Sequence, residues 1–138
     1  MFENKIVAVM NKSVDPGKSM NALAHICLGF SLSGVEKEAF HFMNYKTRDG
    51  YEYPSISKIP FIILKASANK VKDLVKKARC EKIKFGAFTE TMTIGSWQEQ
   101  EKSTRERGEE EHHFLGIVML GQKELVTKMT KKFSIWRV

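Results

Sequence analysis

Short apolar runs rich in β-branched residues are the feature that most constrains the fold of this chain of 138 residues. Residues 5–10, 61–64 and 114–120 are almost continuously apolar, and each run is at most seven residues long. Runs of this length without polar alternation are typical of strands that are buried on both faces of a sheet. The sequence therefore predicts a central sheet that other elements must cover on both sides.

A helix start follows the first of these runs. Asp15 can cap free backbone N–H groups, and Pro16 suits the first helical position, where no N–H partner is required. The helix is predicted to extend from Pro16 to about Leu32 and to be closed by Ser33-Gly34. Its predicted buried face follows from helical spacing and consists of Met20, Leu23, Ala24 and Cys27.

The remaining elements are predicted from turn signals and periodicity. Asp49-Gly50 lies between the aromatic segments 40–45 and 51–53 and predicts a β-hairpin, followed by an extended connection over 55–59. Further elements are a basic amphipathic helix, a third strand and a short final helix, over residues 69–79, 83–89 and 123–131. Residues 90–111 are polar and are interpreted as a long loop with room for a helical turn.

This order of elements predicts one α/β domain over residues 1–138. We expect a mixed, mainly parallel sheet of about four main strands, with helices on both faces and an inserted β-hairpin. Cys27 and Cys80 are too few for a disulfide scaffold, and no apolar run approaches the length of a leader or a membrane span. The expected location is therefore the cytoplasm, with no membrane partner.

The net charge of +7 is concentrated in two segments. Residues 70–84 carry +5 and residues 122–138 carry +4, whereas residues 99–111, which lie between them in sequence, carry −3. Each basic segment is explained by a solvated helix face. If the two segments lie side by side in space, they instead form a shared basic patch of the kind that binds nucleic acid. The sequence leaves both interpretations open.

The connection between the first strand and the first helix is the expected ligand site, because ligands bind beyond the carboxyl ends of strands, near helix starts. It ends in Gly17-Lys18-Ser19, but the second glycine of a phosphate-binding loop is missing, since Lys12 occupies that position. Lys12 and Lys18 are candidate ligands for an anion, and a plain solvated turn is the alternative.

Lys18, Asn21 and His25 fall on one stripe of the predicted helix, which we expect to lie opposite its buried face. A neutral imidazole can accept a proton, and a neighbouring ammonium group can stabilise developing negative charge. These properties suit general-base catalysis, and an ordinary polar helix face is the alternative. Thr89 stands at a predicted strand end and is a candidate for positioning a substrate, and β-propensity alone is the alternative explanation for threonine there.

No metal site and no cofactor are predicted. His112 and His113 are adjacent, so on a strand their side chains point to opposite faces and do not reach one ion. Neither cysteine has the Cys-x-x-Cys spacing of a zinc or redox site. Cys27 lies on the apolar stripe of the first helix, where burial is expected to make it unreactive.

Five segments together resemble one uncharacterised bacterial family, catalogued as domain of unknown function number two thousand. They are the stretches 5–9, 15–25, 53–57, 60–65 and 130–137. The resemblance covers nearly the whole chain, and the family has no established activity to carry over.

More distantly, the first turn and helix resemble the type 2 peptidyl-tRNA hydrolases. Their motif Gly-Lys-Val-Ala-Ala-Gln-Cys-Ser-His aligns without a gap with residues 17–25, which places Lys18 and His25 on the hydrolase lysine and histidine. The hydrolases carry a further Gly-Lys where Asp15-Pro16 stand here. They also carry an aspartate and an arginine after the third strand, where this chain has residues 89–93 with Glu90 as the available carboxylate.

The resemblance implies a peptidyl-tRNA-hydrolase-like fold that binds an anionic, tRNA-related ligand at the first strand–helix turn. If the protein is an enzyme, the implied reaction is ester hydrolysis. The residues expected to take part are His25 and Lys18 as catalytic groups and Lys12, Asn21 and Thr89 as substrate-binding groups. The alternative is a non-catalytic binding or assembly module, a homodimer through the hairpin, that kept the fold and lost the hydrolase site.

Overall fold

The computed structural model describes residues 2–30 and 34–138. Its strands are β1 (Asn4–Asn11), β2 (Phe42–Lys46), β3 (Glu52–Ser57), β4 (Phe61–Ala66), β5 (Lys84–Thr89), β6 (Phe114–Gln122) and β7 (Ser134–Ile135). Its α-helices are α1 (Pro16–Phe30), α2 (Ala68–Cys80), α3 (Trp97–Arg105) and α4 (Lys123–Thr130). Short 3-10 helices occupy Lys37–Phe40, Glu90–Met92 and Glu109–Glu111.

Five strands form the main sheet, in the order β5-β6-β1-β4-β7. The sheet is mixed, as predicted, but the expectation of a mainly parallel sheet is wrong. Within the described residues, β1 and β4 run parallel, and the other three pairings are antiparallel. β5 and β6 are antiparallel because residues 90–113 bring the chain back to the end of the sheet at which β5 finishes. Thr89 therefore pairs with Phe114, and β6 runs back along β5.

Helices cover both faces of this sheet, which confirms the predicted layering. Val7 and Val9 of β1 face α2 and α4, in a core shared with Ile117 of β6. Ile6, Ala8 and Met10 point the other way and pack in a second core against α1. Because successive residues of a strand point to opposite faces, the uninterrupted apolar run of β1 serves both cores.

The buried face of α1 differs from the predicted one. The buried residues are Ser19, Ala22, Ile26 and Phe30. By contrast, Met20 is 62% exposed, Ala24 is exposed, and Leu23 and Cys27 are only half-buried. Apolar residues cover more than half of the circumference of this helix, so their spacing alone does not select the face that meets the sheet. The predicted end at Leu32 and Ser33 lies outside the described residues.

The predicted hairpin is confirmed, since β2 and β3 pair antiparallel around Asp49-Gly50 and form a separate two-stranded sheet. Its second strand includes residues 55–57 of the predicted extended connection. The interpretation of residues 90–111 as a loop is wrong for α3, whose first turn is capped by the Ser96 hydroxyl, which accepts from the backbone N–H of Glu99. This helix buries no residue, so it carries little of the apolar periodicity that reveals helices in a sequence.

No α-helix among the described residues is both long enough and apolar enough to cross a membrane.

The close contact between α1 and β5 generates a testable prediction. A Cβ atom built on Gly86 of β5 lies 2.7 Å from Cγ2 of Ile26. We therefore expect Gly86→Ala to lower the free energy of unfolding by about 1–3 kcal/mol through overpacking, measured by urea denaturation. Gly29→Ala is the control, because nothing lies within 4 Å of a Cβ atom there. It should leave stability unchanged or raise it by up to about 1 kcal/mol. A G86A variant as stable as the parent would contradict this packing.

Candidate active site

A cavity of about 730 Å³ opens at the sheet edge where β1 and β5 end. Both strands run antiparallel to β6, which lies between them, so their carboxyl ends meet at the same edge. The walls come from the start of α1, the end of β5 with the turn that follows it, and α3. The lining residues are Asp15, Gly17, Lys18, Asn21, His25, Phe88, Met92, Thr93 and Gln100.

Hydrogen bonds fix the loop that leads into α1. The side-chain amide of Asn11 donates to the carbonyl of Phe114 at 3.1 Å, and its oxygen accepts from the N–H of Ser13 at 2.9 Å. The carboxylate of Asp15 accepts from the N–H of Gly17 at 3.0 Å and from that of Lys18 at 3.4 Å. The predicted Asp15 cap is therefore confirmed, and it sets the direction in which the first turn of α1 presents its side chains.

The structure brings Lys18, Asn21 and His25 to this one cavity. All three are exposed to solvent. Their stripe lies beside the buried face of α1 rather than opposite it, because the buried face is shifted from the predicted one. This shift turns the three side chains toward β5 and α3.

The imidazole of His25 rests on the ring of Phe88. The two ring centroids are 5.9 Å apart and the planes differ by 24°. Among the described residues, neither ring nitrogen of His25 has a hydrogen-bond partner, so both remain available to a ligand. Asp15 contributes a carboxylate to the lining of this cavity, and that carboxylate already serves as the helix cap.

The opposite wall contains groups that the sequence analysis did not select. The Thr93 hydroxyl donates to the carbonyl of Glu90 at 2.6 Å, and the Gln100 amide donates to the carbonyl of Gly95 at 3.2 Å. Gln100 belongs to α3, in the segment whose polar composition predicts a loop. The signal that predicts this helix is the pattern Ser96-x-x-Glu99, typical of a capping box.

A second cavity of about 300 Å³ adjoins the first and shares Asp15, Lys18 and Thr93 with it. Glu90 and His113 also line it, and Oε2 of Glu90 accepts from the backbone N–H of His113 at 2.7 Å. A carboxylate and the Lys18 ammonium therefore share one space.

His112 is a buried imidazole behind this second cavity. Its Nδ1 has no hydrogen-bond partner among the described residues and lies 3.9 Å from Oε1 of Glu90. Its Nε2 lies 3.2 Å from the carbonyl oxygen of Thr104. This contact connects the segment before β6 to the last turn of α3.

Thr89 and Lys12 do not line either cavity. Thr89 is 4% exposed, and its hydroxyl is hydrogen-bonded to that of Thr91 at 2.6 Å. Phe88 and Thr89 are successive residues of β5, so their side chains point to opposite faces of the sheet, and Phe88 lines the cavity whereas Thr89 turns into the protein. Lys12 faces the other side of the sheet, where it lines a groove beside α2.

The described residues contain no group of three or more His, Cys, Asp or Glu side chains placed to hold a metal ion. Burial raises the pKa of the half-buried Cys27 thiol, which disfavours the reactive thiolate.

Comparison with known proteins identifies a family and a fold but gives no function. The family model described as "Protein of unknown function (DUF2000)" matches residues 4–137. No curated protein matches the chain. A solved structure of a protein of unknown function from Agrobacterium tumefaciens superposes with a TM-score of 0.85 at 15% sequence identity, covering 99% of this chain and 100% of its own. This likeness supports the mixed α/β fold.

The hydroxyl chain behind the site yields a second prediction. Thr91 contacts the hydroxyls of Thr89 and Thr104 at 2.6 and 2.7 Å and so ties the end of β5 to α3. We expect Thr91→Val to lower the free energy of unfolding by about 1–3 kcal/mol, because a buried hydroxyl loses its partner. Amide hydrogen exchange in α3 should also become faster. Thr127→Val on the exposed side of α4 is the control and should change stability by less than about 0.5 kcal/mol. Unchanged exchange in α3 of T91V would rule out the tie.

Proposed function

The chain belongs to this family of proteins of unknown function, and we propose that it binds an anionic, tRNA-related ligand at the start of α1 and hydrolyses an ester of that ligand. One observation carries the proposal: Lys18, Asn21 and His25 line a single open cavity at the carboxyl ends of β1 and β5. A cation, an amide and an unpaired imidazole are the groups that such a reaction uses.

Lys18 provides the binding of the anion. Its ammonium group has no carboxylate within ion-pair distance among the described residues, although it lines both adjoining cavities. It stands in the first turn of α1, where the helix dipole also favours negative charge. Asn21, one turn further along the same stripe, supplies an amide that hydrogen-bonds a carbonyl or a hydroxyl of the ligand.

His25 provides the chemistry. Its imidazole accepts a proton from a water molecule as the water oxygen attacks the ester carbonyl, and the Lys18 ammonium stabilises the oxyanion that forms. When the carbon–oxygen bond to the ribose breaks, the imidazolium returns its proton to the leaving hydroxyl. One water molecule is consumed, and a carboxylic acid and an alcohol are released. Because the ring stacks on Phe88, its plane is held while both nitrogens stay accessible.

The resemblance to the type 2 peptidyl-tRNA hydrolases supports the choice of ligand. The gapless alignment of residues 17–25 with the hydrolase motif places Lys18 and His25 on residues of the hydrolase site. The hydrolase-like fold and a tRNA ester as substrate are parts of this proposal. Glu90 supplies a carboxylate beside Lys18 where the hydrolases have an aspartate.

Hydrolysis of N-acetyl-aminoacyl-tRNA tests the proposal. We expect His25→Gln to lower the hydrolysis rate about 10²–10⁴-fold while tRNA binding stays within a factor of two, because the residue acts as a base and not as a ligand. Lys18→Met should weaken binding and slow the reaction together. Rates come from acid-precipitable label, and binding comes from fluorescence anisotropy.

Two control variants accompany this experiment. Lys37→Met removes one exposed positive charge outside the cavity, and His41→Asn removes one exposed imidazole at a left-handed backbone position that asparagine also tolerates. Neither should change rate or binding. An H25Q variant that hydrolyses the substrate at the parent rate would refute the reaction, and an unchanged Kd for K18M would refute the anion site.

A second candidate function, a non-catalytic assembly module, is favoured by the hairpin. Tyr45 and Tyr53 are direct cross-strand partners, and they are 48% and 60% exposed. Phe42 and Ile56 of the same hairpin are about half exposed. Among the described residues β2 and β3 pair only with each other, so both edges are open to strand addition by a second copy. An isolated two-stranded sheet is marginally stable, and a partner strand would stabilise it.

Sedimentation velocity tests this second candidate. We expect a concentration-dependent dimer that shifts to monomer in the double variant Tyr45→Ser/Tyr53→Ser, because each dimer loses four aromatic side chains from its interface. The matched control, Ile94→Ser/Trp97→Ser, removes two exposed apolar side chains outside the hairpin and should leave the equilibrium unchanged. A parent protein that is monomeric at all concentrations would exclude assembly through the hairpin.

A further inference from the structure

A groove of about 700 Å³ runs between α2 and α4 on the face of the sheet opposite α1. Its floor is apolar and is formed by Leu74, Leu125, Met129 and Phe133. Its banks are basic and carry Lys12, Lys65, Lys70, Lys77, Lys128, Lys131 and Lys132. We name this feature the lysine groove. It brings the two basic segments of the sequence side by side.

The charge of the lysine groove is not compensated within the protein. Seven lysines line it, against the two carboxylates of Asp73 and Glu81. Among the described residues, none of the seven ammonium groups lies within ion-pair distance of a carboxylate. Ammonium groups held close together repel one another, and an anion placed between them relieves this repulsion.

On the opposite flank of α2, nearby acidic residues bind basic side chains that do not line the groove. Lys76 is hydrogen-bonded to the carboxylate of Glu110, and Lys72 donates to the Glu110 carbonyl at 2.8 Å. Arg79 forms two hydrogen bonds to the carboxylate of Glu109, at 3.0 and 2.6 Å, and these hold the pKa of Glu109 below its usual value. The acidic 3-10 helix thus neutralises one flank of α2 and leaves the flank that faces the groove positive.

The arrangement of the lysines suits an extended polyanion better than a single phosphate. Lys70 and Lys77 are seven residues apart on α2, which corresponds to about 10 Å along the helix axis. Lys128, Lys131 and Lys132 face them from α4 and the turn after it. Positive charge therefore follows both banks of the groove along its length, as it does where a protein tracks a nucleic acid backbone.

The apolar floor favours single-stranded over double-stranded nucleic acid. In a duplex the bases are stacked in the interior, so that only phosphates, sugars and the base edges in the grooves are exposed. These polar groups gain nothing from contact with an apolar floor. Unpaired bases expose their faces, and aromatic and aliphatic side chains such as Phe133 and Met129 pack against them. A flat membrane surface, in turn, does not reach a floor that lies between two helices.

We propose that the lysine groove binds the phosphate backbone of a single-stranded segment of nucleic acid, with bases packed on its floor. This site lies on the other face of the sheet from the cavity of His25, and it stands or falls independently of ester hydrolysis. The lysine groove and the candidate active site approach each other at Lys12. Lys12 lines the groove, whereas its neighbours Asn11 and Ser13 line the second cavity, which also contains Glu90.

Fluorescence anisotropy with labelled 12-mers of uridylate and of deoxythymidylate, between 50 and 300 mM KCl, tests the proposal. We expect the parent protein to bind with an affinity that falls steeply with salt. The triple variant Lys70→Gln/Lys77→Gln/Lys128→Gln should bind at least tenfold more weakly at 100 mM KCl. Its slope of log affinity against log salt should be shallower by about 2, since each lost phosphate contact contributes about 0.7. All three lysines are exposed, so the fold should be retained.

The matched control is Lys37→Gln/Lys58→Gln/Lys102→Gln, which removes the same charge from exposed positions outside the groove. It should weaken binding less than threefold. Equal losses in the two triple variants would overturn the proposal, because net charge alone would then explain binding. Tighter binding of a labelled 12-mer of glutamate, or of vesicles containing phosphatidylserine, would also overturn it in favour of an acidic protein or a membrane. Phe133→Leu should lower affinity at least about fivefold without changing the salt slope.

Discussion

Burial of β1 on both of its faces is the constraint on which the rest of this structure depends. Val7, Ala8 and Val9 are fully buried, and the strand lies between β4 and β6 with helices above and below. A strand that offers apolar side chains in both directions is stable only if two separate layers cover it. The helices α1, α2 and α4 supply these layers, and the remaining strands extend the surface on which the helices pack.

The loop after β1 separates two distinct surfaces, one on each face of the sheet. Asn11 is tied to β6 through the carbonyl of Phe114, and the N–H of Lys12 donates to the carbonyl of Ala66 in β4. With the loop held on both sides, the Lys12 side chain is directed to the face of α2 and α4, whereas the chain continues to α1 on the other face. The candidate active site and the lysine groove are therefore separated by a few residues of one loop.

Local sequence signals predicted those features that depend on local geometry. The cap at Asp15, the hairpin at Asp49-Gly50 and the grouping of Lys18, Asn21 and His25 follow from spacings of a few residues, and the structure has all of them. Features set by distant partners were not predictable in this way. Gln100 enters the cavity from a helix with no buried face, and the buried Thr89 hydroxyl bonds to Thr91, which in turn contacts Thr104 of α3.

α1 shows why a correctly predicted helix does not by itself predict a site: the sequence does not fix which face of the helix is buried. Its apolar residues support more than one buried face, and the choice among them depends on β5, where the absent side chain of Gly86 lets Ile26 approach closely. Once Ile26 lies over Gly86, the preceding residue His25 lies over Phe88, two positions along the same strand. The position of the His25 imidazole at the cavity therefore depends on Gly86, a residue 61 positions away in sequence. A buried face centred on Met20 and Leu23 would have turned it away from the strand.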